Sequence, residues 1–167
     1  MEISINKDIK LSEHFTLGEV TKTKHKTADG NIPSHMAIEN LKNICEGWLE
    51  DLRYSYNMLY GDEEMRSKEM SSKEEIPVII SSGYRSPEVN KLAGGSPNSN
   101  HLTGCAVDIR CMGKEQMIRY ASILLDIADG TKRDWDDLIF EQRGSVCWLH
   151  FAVRPKENRR RIVFDIR

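Results

Sequence analysis

The apolar residues of this chain change their period once along its length, and that change constrains the fold more than any other feature. From Met36 to Leu59, the positions Ile38, Leu41, Cys45, Trp48, Leu49 and Leu52 recur at helical spacing, behind start signals at Pro33 and Ser34. The tail instead carries three short runs of strand character at 136–141 (DDLIFE), 146–153 (VCWLHFAV) and 161–167 (RIVFDIR), with Gly144 and Pro155 near the turns. Consecutive strands joined by short turns predict a meander. Helices first and strands in succession later predict an α+β fold with a mainly antiparallel sheet and flanking helices. A length of 167 residues suits a single domain spanning 1–167, and no repeat or linker divides it.

Between these regions the signals are shorter. Residues 12–22 predict a short helix with Ser12 as its cap, and 61–75 a charged surface loop, helix extension or insert. The run IPVIISS at 76–82 predicts a buried strand ending at Gly83. A short helix is expected over 87–93 behind Pro87, then a Gly94-Gly95-Ser96-Pro97-Asn98 loop and a strand over 105–110. Residues 114–128 carry Met117, Ile118, Ala121, Leu124, Leu125 and Ala128 on one stripe, closed by Gly130. Gly47, inside the first long helical pattern, weakens it by about 1 kcal/mol relative to alanine.

Charge and composition remove several function classes. With 24 Lys+Arg against 26 Asp+Glu the net charge is −2, which argues against a polyanion binder, and 7% aromatics argue against a base-stacking platform; no nucleic-acid partner is expected. No run reaches the roughly 18–20 apolar residues of a membrane span, and Met1 to Leu11 alternates instead of forming a signal-peptide core. The expectation is a cytoplasmic product, monomeric, that reaches any external substrate after release or delivery by another protein. Cys45, Cys105, Cys111 and Cys147 form no CxxC pair and read as reduced, mostly buried thiols.

Chemistry concentrates after the first predicted strand. Ser82 to Pro87, Ser99 to Asp108, and Trp148-Leu149-His150 place two histidines and an aspartate around strands able to lie side by side. Asp108 shares a strand face with Ala106 and Arg110, and His150 with Trp148 and Ala152. The same parity turns Cys105 and Cys147 toward the core, unless a bulge reverses one strand. His101 sits in a Gly/Ser/Asn-rich loop, where Gly104 permits a tight approach. Two imidazoles and a carboxylate are one donor set that gives a catalytic zinc three protein ligands and an open position. On spacing alone, a turn-capping His101 and a partly buried strand histidine at position 150 account for the pattern equally well.

The segments SGYRSPEVN at 82–90, SxHxxGxAxD at 99–108, DxLIxE at 136–141 and WLHFAV at 148–153 resemble the peptidase M15 family of zinc D-alanyl-D-alanine carboxypeptidases. HFTLGEV at 14–20 and IENLKNICEGWLEDLR at 38–53 are similar to the small phage and prophage branch in its subfamily A. The resemblance implies a hedgehog/DD-peptidase-like fold and Zn2+ held by His101, Asp108 and His150. It implies that Arg85 contacts the substrate carbonyl and supports the developing oxyanion, and that Ser99 lines the substrate pocket, although a loop-capping hydroxyl is an equal reading of Ser99. Glu141 is the implied general base, ahead of Asp137 and Asp136, for which ordinary surface charge is the alternative. Tyr84 and Trp148 either line the cleft or pack. The implied substrates are peptidoglycan stem peptides, cut at a terminal D-Ala-D-Ala bond or at an internal L-Ala-D-Glu bond. One departure is Cys147, which stands where some relatives carry a carboxylate three residues before the last zinc histidine. It keeps open a non-catalytic, zinc-containing module that binds cell wall or a phage structure. A signalling-type relative with a structural metal is a third reading, against which the lack of an export signal speaks.

Overall fold

A computed structural model describes residues 6–67 and 75–167. Its elements run α1 (Leu17–Val20), α2 (His35–Ile44), a π-helical turn (Cys45–Leu49), α3 (Glu50–Ser67), β1 (Ile80–Ser82), α4 (Pro87–Leu92), a 3₁₀ turn (Asn100–Thr103), β2 (Ala106–Cys111), α5 (Lys114–Thr131), β3 (Asp137–Arg143), β4 (Val146–Ala152) and β5 (Arg161–Ile166). The strands form one sheet in the order β1-β2-β4-β3-β5, antiparallel except for β3 with β5. The α+β fold with a mainly antiparallel sheet is therefore observed.

Parity along the strands decides the core. Val107, Ile109 and Cys111 of β2, Cys147, Leu149 and Phe151 of β4, and Leu138 and Phe140 of β3 face the helices and are buried. Leu41 and Ile44 of α2, Trp48 and Leu49 of the π turn, and Leu52 and Tyr56 of α3 complete that layer. Trp48 meets Phe151 edge-on at 5.0 Å, and Tyr56 meets Tyr120 of α5 at 4.7 Å. Burying each such side chain is worth about 1.5–3 kcal/mol, so α2, the π turn and α3 are held against the sheet mainly by this face. All four cysteines are free and buried; burial pushes the thiols of Cys45 and Cys111 up to about 12.

Several local expectations change. The short first helix begins after Thr16, which forms a capping box with Glu19; Ser12 instead donates to the Glu50 carboxylate at 2.6 Å. The long first helix is interrupted by the π turn around Gly47 and continues to Ser67, so over 61–67 the helix extension is the reading that holds; residues 68–74 lie outside those described. The strand expected over 76–82 pairs only over Ile80–Ser82. Helix α5 runs past Gly130 to Thr131, with Lys132 left-handed at φ 59°, and Ile118 of its expected apolar stripe is exposed. The tail is not a meander: β2 occupies the far edge of β4, so β5 passes across the start of β3 and joins that strand's free edge in parallel.

Candidate metal centre and its cleft

Two irregular backbone features bring the functional side chains together. In β1 the register slips, pairing Ile80 with Ile109 but Ser82 with Asp108. The extra residue of this bulge turns Ser82 to the face of Asp108, while Ile80 stays on the core face. Beyond Ser82 the chain leaves the sheet beside β2, with the Tyr84 N–H donating to the Val20 carbonyl at 2.7 Å and the Arg85 N–H to the His101 carbonyl at 3.0 Å. The second feature is the 3₁₀ turn that carries His101. Ser99 Oγ caps it by accepting the His101 N–H at 3.3 Å, and Gly104 ends it at φ 71°. A Cβ on Gly104 would stand 2.3 Å from the Ala37 carbonyl oxygen, so only glycine lets this turn press against α2.

Strand register supplies the remaining candidate ligands. Asp108 of β2 lies directly opposite His150 of β4. Asp108 Oδ1 sits 3.2 Å from His101 Nε2 and 2.9 Å from His150 Nδ1, and the two imidazole rings stand 4.9 Å apart. The ligand atoms of His101, Asp108 and His150 all lie within 4.8 Å of one another, and all three residues are buried. No other group of three or more His, Cys, Asp or Glu among the described residues is so arranged. His101 Nδ1 donates to the Gly83 carbonyl at 2.6 Å, which fixes the tautomer and leaves Nε2 as the ligand atom. Two imidazoles and one carboxylate, oriented this way, fit a zinc ion with an open position for water.

The charges around the cluster are uneven. Burial alone would raise the Asp108 carboxyl, but the facing imidazoles hold it far below the usual carboxylate range. Burial lowers His101, whereas for His150 the bond to Asp108 overcomes burial and raises it. Arg85 donates to Asp108 Oδ2 at 2.5 Å and through Nε to Ser82 Oγ at 2.9 Å, so its guanidinium is fixed beside the ligands. Glu141 lies across the cleft, held by the Trp148 indole N–H at 2.7 Å. Burial and the Asp108 charge raise its carboxyl above the ordinary glutamate value, the direction a proton-accepting group at neutral pH needs.

These groups line one cleft of about 620 Å³, in which Arg85, Glu141 and Trp148 join His101, Asp108 and His150. Ser99 and Tyr84 are not among its lining residues: Ser99 caps the 3₁₀ turn, and Tyr84 is buried with the hydrophobic core. Asp136 and Asp137 are not either. Arg159 forks onto both, at 2.6 Å to Asp136 and 2.8 Å to Asp137, and Arg161 reaches Asp137 at 2.7 Å. Asn100, one residue before His101, donates to Asp136 at 2.7 Å, so this cluster braces the turn that carries the first ligand. Sequence reading missed Arg143, Asp165 and Arg167 on the cleft wall; Arg143 pairs with Asp165 at 2.6 Å and lies over the Trp148 ring. Arg143 follows Glu141 on the same face of β3, whereas the place of Asp165 and Arg167 depends on the parallel β3–β5 pairing, which no local pattern announces.

The family model described as peptidase M15 matches residues 63–129. That stretch holds Arg85, Ser99, His101 and Asp108, and ends before Glu141, Trp148 and His150. No curated protein matches the chain.

Proposed function

We propose that the chain, which the peptidase M15 family model matches over residues 63–129, is a zinc-dependent peptidase of peptidoglycan that hydrolyses a stem-peptide bond, either terminal D-Ala-D-Ala or internal L-Ala-D-Glu. The observation that carries this reading is the convergence of His101, Asp108 and His150 in one cleft with a fixed arginine and an elevated glutamate. Bound by those three residues, zinc would polarise the scissile carbonyl and make water nucleophilic near neutral pH.

The protein's own groups do the rest. Glu141, positioned by Trp148, takes the proton of the attacking water and returns it to the leaving amine. Arg85, permanently charged and held by Ser82 and Asp108, faces the oxygen on which negative charge develops. No described helix is long and apolar enough to cross a membrane. Chelation should abolish release of D-alanine or peptide from purified muropeptides, and added zinc should restore it. Hydrolysis that survives metal stripping would overturn the proposal, and a zinc-loaded protein that binds cell wall but cleaves no muropeptide would favour a binding module.

A further inference from the structure

On the other side of Arg85 a second cavity, of about 270 Å³, adjoins the metal cleft. Its walls come from segments far apart in sequence: Lys22, Lys24 and His25 after α1, Ser81 and Ser82 at the end of β1, and Ala93 at the end of α4. Arg85 and Ala93 line both cavities. The lining holds two exposed lysines, a histidine and Arg85, and no carboxylate; Arg85 is already paired with Asp108, so the charge left over is that of the lysines.

This imbalance stands out against the rest of the site. Arg159 and Arg161 are matched by Asp136 and Asp137, and Arg143 by Asp165. Among the described residues no ion pair engages Lys22 or Lys24. In a chain of net charge −2, uncompensated cations gathered in a concavity create a local positive potential. Ser82 Oγ already accepts from Arg85 Nε, so its own hydroxyl proton is available to an acceptor in the cavity.

We propose that this annex is a carboxylate-binding subsite for the peptide that lies across the metal centre, with Lys22 and Lys24 supplying charge and Ser82 a hydrogen bond. The inference rests on the peptidase reading for the presence of a peptide in the cleft. The carboxylate is either the peptide's terminus or a side-chain acid, and the shared chemistry is an anionic oxygen pair displaced from the scissile bond toward β1.

The test is calorimetric titration of the full chain, zinc-loaded and carrying Glu141→Gln so that no probe is consumed, with and without Lys22→Ala/Lys24→Ala. The probes are acetyl-D-alanyl-D-alanine, its C-terminal amide, and acetyl-L-alanyl-D-glutamate with the terminal carboxyl amidated. One of the two acidic probes should bind roughly tenfold more tightly than the neutral amide, and which one does so identifies the source of the carboxylate. The double lysine variant should lose that preference while binding the neutral amide unchanged. A preference that persists in the double variant, or equal binding of all three probes, overturns the annex. Muropeptide hydrolysis by the zinc-loaded chain with Glu141 intact is scored separately: lysine-dependent preference without hydrolysis sinks the peptidase and keeps the annex, whereas hydrolysis with no lysine dependence does the reverse.

Discussion

Two buried acid centres sit on this sheet, and they differ in the cations that face them. Asp108 and Asp136 are 4% and 0% exposed. Asp136, with Asp137, meets the guanidinium groups of Arg159 and Arg161, whose charge is permanent and whose forks occupy the carboxylate oxygens. Asp108 meets one guanidinium and two imidazoles. An imidazole can surrender its proton and present a lone pair, so the Asp108 centre can exchange protons for a metal ion, and the Asp136 centre cannot. Burial of an acid is common to both; the exchangeable partner is what separates a centre able to take up a metal from a clamp.

The comparison can be broken most severely at its reactive side. His150→Ala should cut muropeptide hydrolysis by about three orders of magnitude or more and drop the zinc content measured by atomic absorption well below one per chain. Full activity in that variant would erase the distinction between the centres. Glu141→Gln should lower kcat by about 10²- to 10⁴-fold with zinc content unchanged, and a variant that loses zinc as well would place Glu141 among the ligands.

On the clamp side the effect moves from activity to stability. Asp136→Asn should cost about 2 kcal/mol in urea unfolding while zinc per folded chain stays at the wild-type value; the figure is below the 3–5 kcal/mol of a fully buried pair because Arg159 is half exposed. The smallest effect is in the pH profile. Burial would raise Asp136, but Arg159 and Asn100 depress its carboxyl below the ordinary value. A carboxyl depressed on folding stabilises fully above its unfolded pKa, about 3.9, and that contribution is lost as pH falls toward the folded value. The stability gap between wild type and Asp136→Asn should therefore be constant from about pH 5 upward and narrow below about pH 4; a gap that widens with acid would contradict the clamp.

Much of the candidate metal centre is legible in the sequence because strand parity is a local property. Asp108 and His150 on one face, with Cys147, Leu149 and Phe151 on the other, follow from alternation alone, and the register agrees. What alternation leaves open is which strand lies beside which. The expected meander, the Arg143–Asp165 wall and the grip of Arg159 on Asp136 all depend on β5 pairing with β3 in parallel, across 22 to 24 residues of sequence. The π turn at Gly47 is invisible for a different reason: apolar spacing persists through it, and only the backbone bonding changes. Asp137 reads as a candidate base in isolation, since nothing local to DDLIFE reveals the two arginines that hold it.

The pairing of Asp108 with His150 spans 42 residues, and helix α5 and strand β3 lie between them in the chain. Contacts between distant segments form late, because loop-closure entropy must be met before they contribute. A growing chain therefore displays His101 and Asp108 well before the hairpin that delivers His150 can dock against β2. Assembly of the candidate metal site is thereby tied to completion of the sheet: until β4 docks on β2, a chain has two of the three donors and no closed cleft.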